Sequence, residues 1–435
     1  MKWLSLATVI AAAGSFVILF LSAKTLNLDV NAQFVAYWGM FFALTGVLGG
    51  LMQETTRAVG AADAGHDVSG QAGARPITVA VGVSVVTFVV LAATGFLWAP
   101  QIMDGHTGAD QTIGTVLMAG GLGLYAMQAA TSGLLSASKL WGQYATLIII
   151  DILIRVVPAV LAYVFQWSLL AWLVITVIGA MSWLGLVAFS PATRRALTKR
   201  ADVPLRRFIP LMITAMWASG ASAVLVTGFP TLVKLADDYA TTAQGPLSGE
   251  LGITAGGVTA AAVAYAVTLT RAPLLMPLEK FQNAIIVHFV QRDGGPLSAL
   301  AKPLGALIAF GTCGAGLAWL IGPWLMVTIL GDEYFVAGHT LAALTLAATA
   351  TAVLMITGSV TLAVEQHRMY MAGWLSATLV AVVILFIPGL LEVRTSAALL
   401  LGSIVGIVIH LWTLKTGDYS SSQSKHRQAD LESNA

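Results

Sequence analysis

Residues 77–99 read ITVAVGVSVVTFVVLAATGFLWA and contain no charged side chain. An α-helix needs about 20 consecutive apolar residues to cross the hydrocarbon core of a bilayer, and this stretch is long enough. Its apolar residues are contiguous, whereas the strands of a membrane β-barrel alternate between apolar and polar positions. The stretch is therefore typical of a transmembrane α-helix.

The rest of the chain has the same character. Of its 435 residues, 57% are hydrophobic and 10% are charged, and the mean hydropathy is +0.84. Soluble domains typically carry about 25% charged residues. Because irregular backbone cannot face lipid, the other apolar runs are also expected to be helices. We predict an all-α integral membrane fold of about twelve transmembrane helices, at residues 4–23, 33–53, 77–99, 111–137, 141–165, 168–190, 208–232, 254–276, 304–329, 337–362, 369–391 and 395–414.

The Lys and Arg residues predict how these helices are oriented. When the N-terminus is placed in the cytoplasm, most of the 22 basic residues fall on the cytoplasmic side, as the positive-inside rule requires. Six of them lie in the single loop 191–207. We therefore expect a multi-pass protein of the cell (plasma or inner) membrane with both termini in the cytoplasm.

Two short sequence repeats divide the chain into halves. Thr56-Arg57-Ala58 recurs as Thr270-Arg271-Ala272, and Arg75-Pro76 has a counterpart in Lys302-Pro303. Two halves of six spans share one orientation in the membrane, which is an arrangement found in transporters. We predict four regions: an N-terminal six-helix lobe (1–190), a basic cytoplasmic linker (191–207), a C-terminal six-helix lobe (208–415) and a disordered cytoplasmic tail (416–435).

Charged side chains inside spans need an explanation, because each costs about 2.5–3.5 kcal/mol to insert at a helix centre. Asp151 and Arg155 lie four residues apart on one face of the fifth span. They form either a self-neutralising pair or a site where Arg155 presents positive charge to an anionic substrate. Glu54 and Arg57 end the second span, as an interfacial anchor or as a second pair. Pro158 frees a backbone carbonyl of the fifth span and is a candidate hinge.

The eighth span continues into an unusually polar segment that holds Arg271, Pro273, Pro277, Glu279 and Lys280. A helix that faces only lipid would not contain these charges, whereas a helix that is broken by two prolines and lines a cavity would. We predict that Arg271 and Lys280 bind substrate, that Glu279 takes part in charge pairing or coupling, and that the prolines are hinges. The alternative is a bent helix end whose polar face lies at the membrane interface.

Glycine pairs indicate where helices approach each other closely. Residues four apart share one face of a helix, and glycine leaves room for a neighbouring backbone. We expect close packing at three such pairs, Gly46/Gly50, Gly252/Gly256 and Gly402/Gly406.

Several chemistries have no motif in the sequence. There is no GxxxxGK[ST] phosphate-binding loop, the histidines lack metal-ligand spacing, and the loops leave no room for a soluble catalytic domain. We therefore expect no cofactor, no metal site, no enzymatic activity and no nucleic-acid partner.

Three stretches resemble a known family of membrane proteins. Residues 32–37 (AQFVAY) and 49–57 (GGLMQETTR) are similar to the first-to-second-span region of polysaccharide flippases. There an aromatic-rich stretch opens the second span, and a Gly-Leu pair precedes an arginine at its end. Residues 264–273 (AYAVTLTRAP) resemble the eighth-span pattern of the same superfamily, the multidrug/oligosaccharidyl-lipid/polysaccharide (MOP) exporters. Glu54, next to Arg57, departs from the family pattern in its charge.

The resemblance implies a V-shaped transporter of two six-helix lobes that alternates between inward-open and outward-open states. Its cargo would be a polyprenyl-(pyro)phosphate-linked sugar or oligosaccharide, moved from the cytoplasmic to the outer leaflet for assembly of envelope polysaccharide or glycolipid. The lipid tail would stay among membrane lipids, and glycosyltransferases of the same pathway would be partners. Asp151 or Glu54 would couple transport to a proton or sodium gradient. Four basic residues would gather around the phosphate: Arg57, Arg155, Arg271 and Lys280.

Three other functions compete with this one. A multidrug exporter of the same superfamily would bind cationic drugs and need an acidic cavity, whereas the charges within these spans lean basic. A polyprenyl-phosphate-dependent membrane glycosyltransferase would need acidic catalytic residues on a long outer loop, for which Asp237 and Asp238 are candidates. A sugar-porter-like facilitator would show a Gly-Asp-Arg-rich signature in the loop 54–76, and that loop has none.

Overall fold

The computed structural model describes residues 2–65, 73–103, 106–229, 232–233, 236, 258, 260–290 and 296–416. These residues are mainly helical, and no strand occurs among them. The predicted all-α membrane fold is therefore confirmed. The α-helices are α1 (Lys2–Thr25), α2 (Leu28–Asp63), α3 (Pro76–Ile102), α4 (Gly108–Ala137), α5 (Trp141–Val164), α6 (Leu169–Ile178), α7 (Ser182–Phe189), α8 (Pro191–Ala196), α9 (Leu205–Val226), α10 (Ala260–Val290), α11 (Pro296–Leu330), α12 (Gly338–Ala363), α13 (His367–Leu385) and α14 (Leu391–Thr416).

The long helices coincide with the predicted spans. Within the described ranges, 11 segments are long and apolar enough to cross a membrane. α6 and α7 together make one of them, interrupted by a 3-10 turn at Gly179–Met181. The remaining predicted span lies in α10, whose apolar part, Ala262–Leu275, is shorter. α10 is continuous through Pro273 and Pro277, and the hinge role of these prolines and of Pro158 stays a prediction.

Two regions differ from the boundaries expected from hydropathy. The second predicted span ends at residue 53, whereas α2 continues to Asp63. Glu54 and Arg57 therefore lie within a helix rather than at its end, and both side chains are buried. The short helix α8 lies in the predicted linker 191–207. Hydropathy ends a span at its first polar residues, but these polar residues have partners inside the protein, so the helix continues past them.

The chain divides into two compact units. Unit 1 comprises Met1–Thr231 and Ala272–Gln291, and unit 2 comprises Leu232–Arg271 and Arg292–Ala435. The second half of α10 is thus part of unit 1, together with α1 to α9. The division into two six-helix lobes at the linker stays a prediction. The predicted tail from residue 417 onward and the pair Gly252/Gly256 lie outside the described residues.

Burial is similar in two pairs of spans that lie six apart in the predicted order of twelve. Among the candidate spans, the fourth (α4) and the tenth (α12) are the most buried, and the third (α3) and the ninth (α11) are the least. Large apolar side chains such as Phe96 in α3 and Trp319 in α11 point outward, as in helices that face lipid. In each of these two pairs the spans therefore have a similar environment.

Aromatic side chains form the centre of unit 1. Phe34, Tyr37 and Phe41 of α2 are fully buried. Phe34 packs edge-on against Trp172 of α6, with ring centroids 5.5 Å apart, which is a favoured aromatic geometry. The Tyr37 hydroxyl donates to the backbone carbonyl of Gly114 in α4 at 2.9 Å. α2 is thereby tied to both α4 and α6.

Two of the predicted glycine contacts are confirmed. A Cβ atom at Gly50 would overlap the backbone of Met216 in α9, and one at Gly46 would lie 2.6 Å from a side chain of the same helix. Cβ atoms at Gly402 and Gly406 of α14 would lie 2.6 and 2.7 Å from carbonyl oxygens of α13. In both places glycine lets one helix touch the backbone of the next.

Replacing Gly50 with alanine should lower the thermal stability of the protein. The added methyl group meets backbone, which cannot rotate away, and overpacking of this kind costs about 1–3 kcal/mol. Gly39→Ala is the matched control, because Gly39 lies in the same helix and a Cβ there meets nothing within 4 Å. Thermal unfolding in detergent micelles measures both variants, and equal midpoints for the two would contradict the contact between α2 and α9.

Candidate functional site

Three buried charged side chains form an ionic triad in unit 1: Glu54 and Arg57 of α2, and Asp202 of the connection between α8 and α9. The Nη1 and Nη2 atoms of Arg57 donate to the two oxygens of Asp202, each at 3.0 Å. Its Nε and Nη2 atoms donate to Glu54 at 3.0–3.2 Å. Such forked contacts between arginine and a carboxylate are about twice as strong as hydrogen bonds between neutral groups. The triad carries a formal charge of −1.

The triad fastens the α8–α9 connection to α2. Next to it, the backbone N–H of Asp202 donates to the carbonyl of Ala58 at 3.0 Å. Ala74, which precedes α3, exchanges two backbone hydrogen bonds of 2.8 Å with Ala201 and Val203. These hydrogen bonds hold the segment that leads into α9 against α2, so they determine where α9 begins.

The sequence predicted part of this arrangement. The pairing of Glu54 with Arg57 is present. Asp202 was not predicted, although it is the single acidic residue among the six basic ones in the loop 191–207. A single acidic residue in a basic loop could have indicated this contact, because a buried arginine needs carboxylate partners. Binding of substrate by Arg57 stays a prediction.

A second ionic cluster, the Arg155 site, lies on α5. The Nη1 atom of Arg155 donates to Asp151 at 3.0 Å, and the amide of Gln128 in α4 donates to the other oxygen of Asp151 at 3.2 Å. The guanidinium also lies over the ring of Phe42 in α2, 5.1 Å from its centroid. Within the described part of the chain, Arg155 Nε and Gln128 Oε1 have no hydrogen-bond partner. The predicted pair is therefore present, but it leaves polar atoms unsatisfied.

Gly179 makes room for Arg155. A Cβ atom at this position would overlap Arg155 Nε, so a larger residue would displace the guanidinium from its present place. Gly179 is also the first residue of the 3-10 turn that separates α6 from α7. A short 3-10 stretch inside a helix often marks a functional hinge. The interruption of the sixth span thus lies directly against the buried cation.

The triad and the Arg155 site are separated along α2. Phe42, which contacts Arg155, and Arg57 are about 22 Å apart along the helix axis. One phosphate cannot bridge that distance. The expectation that Arg57 and Arg155 gather around the same phosphate is therefore not met in this conformation.

The structure describes the other predicted site residues only in part. Arg271 is buried and belongs to unit 2. Glu279 and Lys280 are helical residues of α10, but their side chains lie outside the described set, as do the loop acids Asp237 and Asp238. Their roles stay predictions. Among the described side chains, no group of three or more His, Cys, Asp or Glu is placed to hold a metal ion.

Curated relatives cover nearly the whole chain, although no protein-family model matches it. The uncharacterized protein Mb3654 of Mycobacterium bovis is 36% identical over 415 residues, which is 95% of this chain and 91% of the relative. The chain belongs to the same family as this mycobacterial protein. Another member, the uncharacterized protein Rv1510 of Mycobacterium tuberculosis, is 36% identical over 408 residues, 94% of this chain and 90% of the relative.

Solved structures show a fold similar to that of this chain. A MATE in complex with MaD3S has a TM-score of 0.73 at 13% identity and covers 95% of both chains. A multidrug resistance MATE family transporter of the MOP superfamily, in an outward-facing conformation, has a TM-score of 0.73 at 12% identity and covers 96% of both. A MOP superfamily transporter from Pyrococcus furiosus has a TM-score of 0.69 at 14% identity, again over 96% of both. Such identities show the fold alone, and the resemblance to the MOP superfamily is confirmed at that level.

Removing Arg57 should destabilise the protein strongly, because two carboxylates would remain buried without their cation. Breaking a buried ion pair costs about 3–5 kcal/mol. Lys199→Met is the matched control, because Lys199 pairs with Asp63 near the surface, where each side chain is about one-third exposed, and such pairs contribute about 0–1 kcal/mol.

Thermal midpoints of Arg57→Met and Lys199→Met in micelles measure the difference. The double variant Glu54→Gln/Arg57→Met should recover part of the lost stability, because it removes one unpaired charge. Equal losses in both single variants would contradict the triad.

Proposed function

We propose that the protein is a membrane transporter that moves a polyprenyl-(pyro)phosphate-linked sugar or oligosaccharide from the cytoplasmic to the outer leaflet. The transported lipid-linked sugar would be used to assemble envelope polysaccharide or glycolipid. The observation that carries the proposal is a buried arginine, Arg155, whose hydrogen-bonding capacity is only partly used, within the fold of the MOP transporters.

Arg155 has the chemistry to bind a phosphate. Its side chain is 3% exposed, and its Nε atom has no partner among the described residues. A guanidinium has five N–H donors in a planar fork that matches phosphate oxygens. Asp151 accepts from one of its terminal nitrogens, so donors remain for an anionic ligand. Phe42 and Gly179 hold the group in place on two sides.

Asp151 is the stronger candidate for coupling to a proton or sodium gradient. When a phosphate binds Arg155, Asp151 loses its cation while it is still largely buried, and a proton or sodium ion would replace the lost charge. Release of that ion would restore the pair with Arg155 and weaken the hold on the cargo. Glu54 remains bound to Arg57 in the triad and has no comparable exchange.

The proposed cargo implies contacts with membrane lipids, with further basic residues and with partner enzymes. The polyprenyl tail would stay among membrane lipids while the head group crosses. Arg271 and Lys280 are proposed as further phosphate contacts along the path. Glycosyltransferases of the same pathway would load the carrier on the cytoplasmic side, where the basic loops are predicted to lie.

A second candidate function is export of cationic drugs by the same fold. Unit 1 buries the carboxylates of Glu54 and Asp202 and most of that of Asp151, and buried carboxylates attract a cationic cargo. One fold neighbour is a multidrug resistance MATE family transporter. The Pyrococcus furiosus neighbour is described by a reversed polarity of its binding pocket that suggests a different function, so the fold alone leaves the charge of the cargo open.

Transport in liposomes distinguishes the two candidates. The probes are polyprenyl-phosphate-linked sugars with a fluorescent tag, whose flipping is followed by quenching from outside, and ethidium as a cationic drug. We expect flipping by the native protein and a rate at least about tenfold lower for Arg155→Met, the loss that follows from removing one charge-assisted contact. Arg155→Lys should retain an intermediate rate, because it keeps the charge but not the fork.

Arg195→Met is the control, because Arg195 is exposed on α8 and should not affect flipping. Export of ethidium without flipping of any sugar lipid would favour the multidrug function. In cells, depletion of the protein should cause a lipid-linked sugar to accumulate in the cytoplasmic leaflet, and unchanged pools would contradict the flippase.

A further inference from the structure

A cluster of uncharged polar side chains lies where the second half of α10 meets α2 and α5 within unit 1. This amide cluster consists of Gln53, Tyr144, Gln282 and Asn283, all of which are buried. The amide of Gln53 donates to Gln282 at 3.3 Å. The hydroxyl of Tyr144 lies beside the side chain of Asn283. Phe281, between these contacts in sequence, packs against the apolar cluster around Tyr144.

Asn283 is the unsatisfied member of the cluster. It is fully buried, yet neither its amide nitrogen nor its carbonyl oxygen has a hydrogen-bond partner among the described residues. The neighbouring hydroxyl of Tyr144 is close but not in bonding geometry with either atom. Buried polar groups in proteins are almost always hydrogen-bonded, and an exception needs a reason. A donor and an acceptor on one side chain, both unused, are complementary to a ligand that offers both.

The composition of the cluster indicates which ligand that is. Its four side chains are two glutamines, an asparagine and a tyrosine, so none is charged at neutral pH. A hydroxyl group donates and accepts at once and matches a carboxamide in both roles. Hydroxyl-rich, uncharged groups are therefore favoured over a phosphate or a cationic drug.

The cluster lies on the same face of α5 as the Arg155 site. Positions 144, 151 and 155 differ by about two and three helical turns, so their side chains project in nearly one direction. Tyr144 and Arg155 are about 16 Å apart along the axis. A single sugar ring joined to a phosphate is too short to span this distance, whereas a phosphate-linked oligosaccharide is long enough to reach both sites.

We propose that Asn283, Tyr144, Gln53 and Gln282 form the site that recognises the sugar hydroxyls of the cargo, separate from the phosphate contact at Arg155. This inference rests on the proposed function and deepens it. The two sites divide the head group: Arg155 binds the phosphate shared by all cargos of this class, and the amide cluster selects for the sugar.

The test compares binding of two lipids to the full-length protein in nanodiscs. The probes are polyprenyl phosphate and the same lipid carrying a short oligosaccharide of glucose, galactose, mannose or rhamnose, with affinity read from tryptophan fluorescence. We expect the native protein to bind at least one sugar lipid about tenfold or more tighter than the bare lipid, as in sites built to pair with hydroxyls. Asn283→Leu should reduce that ratio to near one and leave the affinity for the bare lipid unchanged.

Control variants test whether the effect of Asn283→Leu is specific to recognition of the sugar. Arg155→Met should weaken both lipids equally, and Thr351→Val, which removes a buried hydroxyl in unit 2, should change neither. Asn283→Leu replaces an unpaired amide by an apolar group of similar size, so it should fold, and thermal unfolding checks this. Asn283→Ser replaces the carboxamide by a hydroxyl, which still offers one donor and one acceptor, and should give an intermediate ratio.

Each outcome bears on one proposal. If the native protein binds neither lipid, the proposed function fails. If it binds the bare lipid and no sugar lipid more tightly, the sugar site is wrong while phosphate binding stands. The sugar site would also be wrong if Asn283→Leu left the ratio of the two affinities unchanged, or if it changed the affinity for both lipids equally. In either case the amide cluster would have a structural role and would not select for the sugar.

Discussion

Inside a bilayer a polar side chain finds no water, so its partners must come from the protein itself. The ionic triad is the strongest expression of this constraint in unit 1. Arg57 lies well inside α2 and is fully buried, and two carboxylates surround it. One of them, Asp202, comes from the connection that leads into α9. Because a buried arginine without that partner would be strongly unfavourable, the connection is held against α2.

The position of α9 follows from this contact. Once its start is held by Asp202, the glycines at positions 46 and 50 allow its backbone to lie directly on α2. The triad holds one end of this contact, and the glycines allow the two helices to touch further along. Similar glycine contacts join α13 and α14 in unit 2. In lipid the hydrophobic effect contributes little to helix association, so close packing and polar contacts between helices stabilise the fold instead.

The same constraint separates structural charges from functional ones. In the triad, both groups of Arg57 donors meet carboxylate oxygens, and the arrangement joins parts of the backbone. At the Arg155 site the guanidinium has one carboxylate, one aromatic ring and an unused Nε. Asn283 likewise keeps a donor and an acceptor unused. Natural proteins seldom bury unsatisfied groups without a ligand or a motion to satisfy them, and so these positions, rather than the triad, carry the functional proposals.

The sequence by itself determined the membrane fold, because continuous apolar runs of span length have no other stable structure in a bilayer. It also indicated the ion pairs Glu54–Arg57 and Asp151–Arg155, since residues three or four apart share a helical face. Only the tertiary structure decided which partners come from elsewhere: Asp202 for Arg57, and Gln128, Phe42 and Gly179 for Arg155. These contacts join residues far apart in the chain, and no local pattern specifies them. For the same reason the expectation that Arg57 and Arg155 share a phosphate with Arg271 and Lys280 came from the resemblance and from charge, whereas the tertiary contacts set Arg57 and the Arg155 site about 22 Å apart along α2.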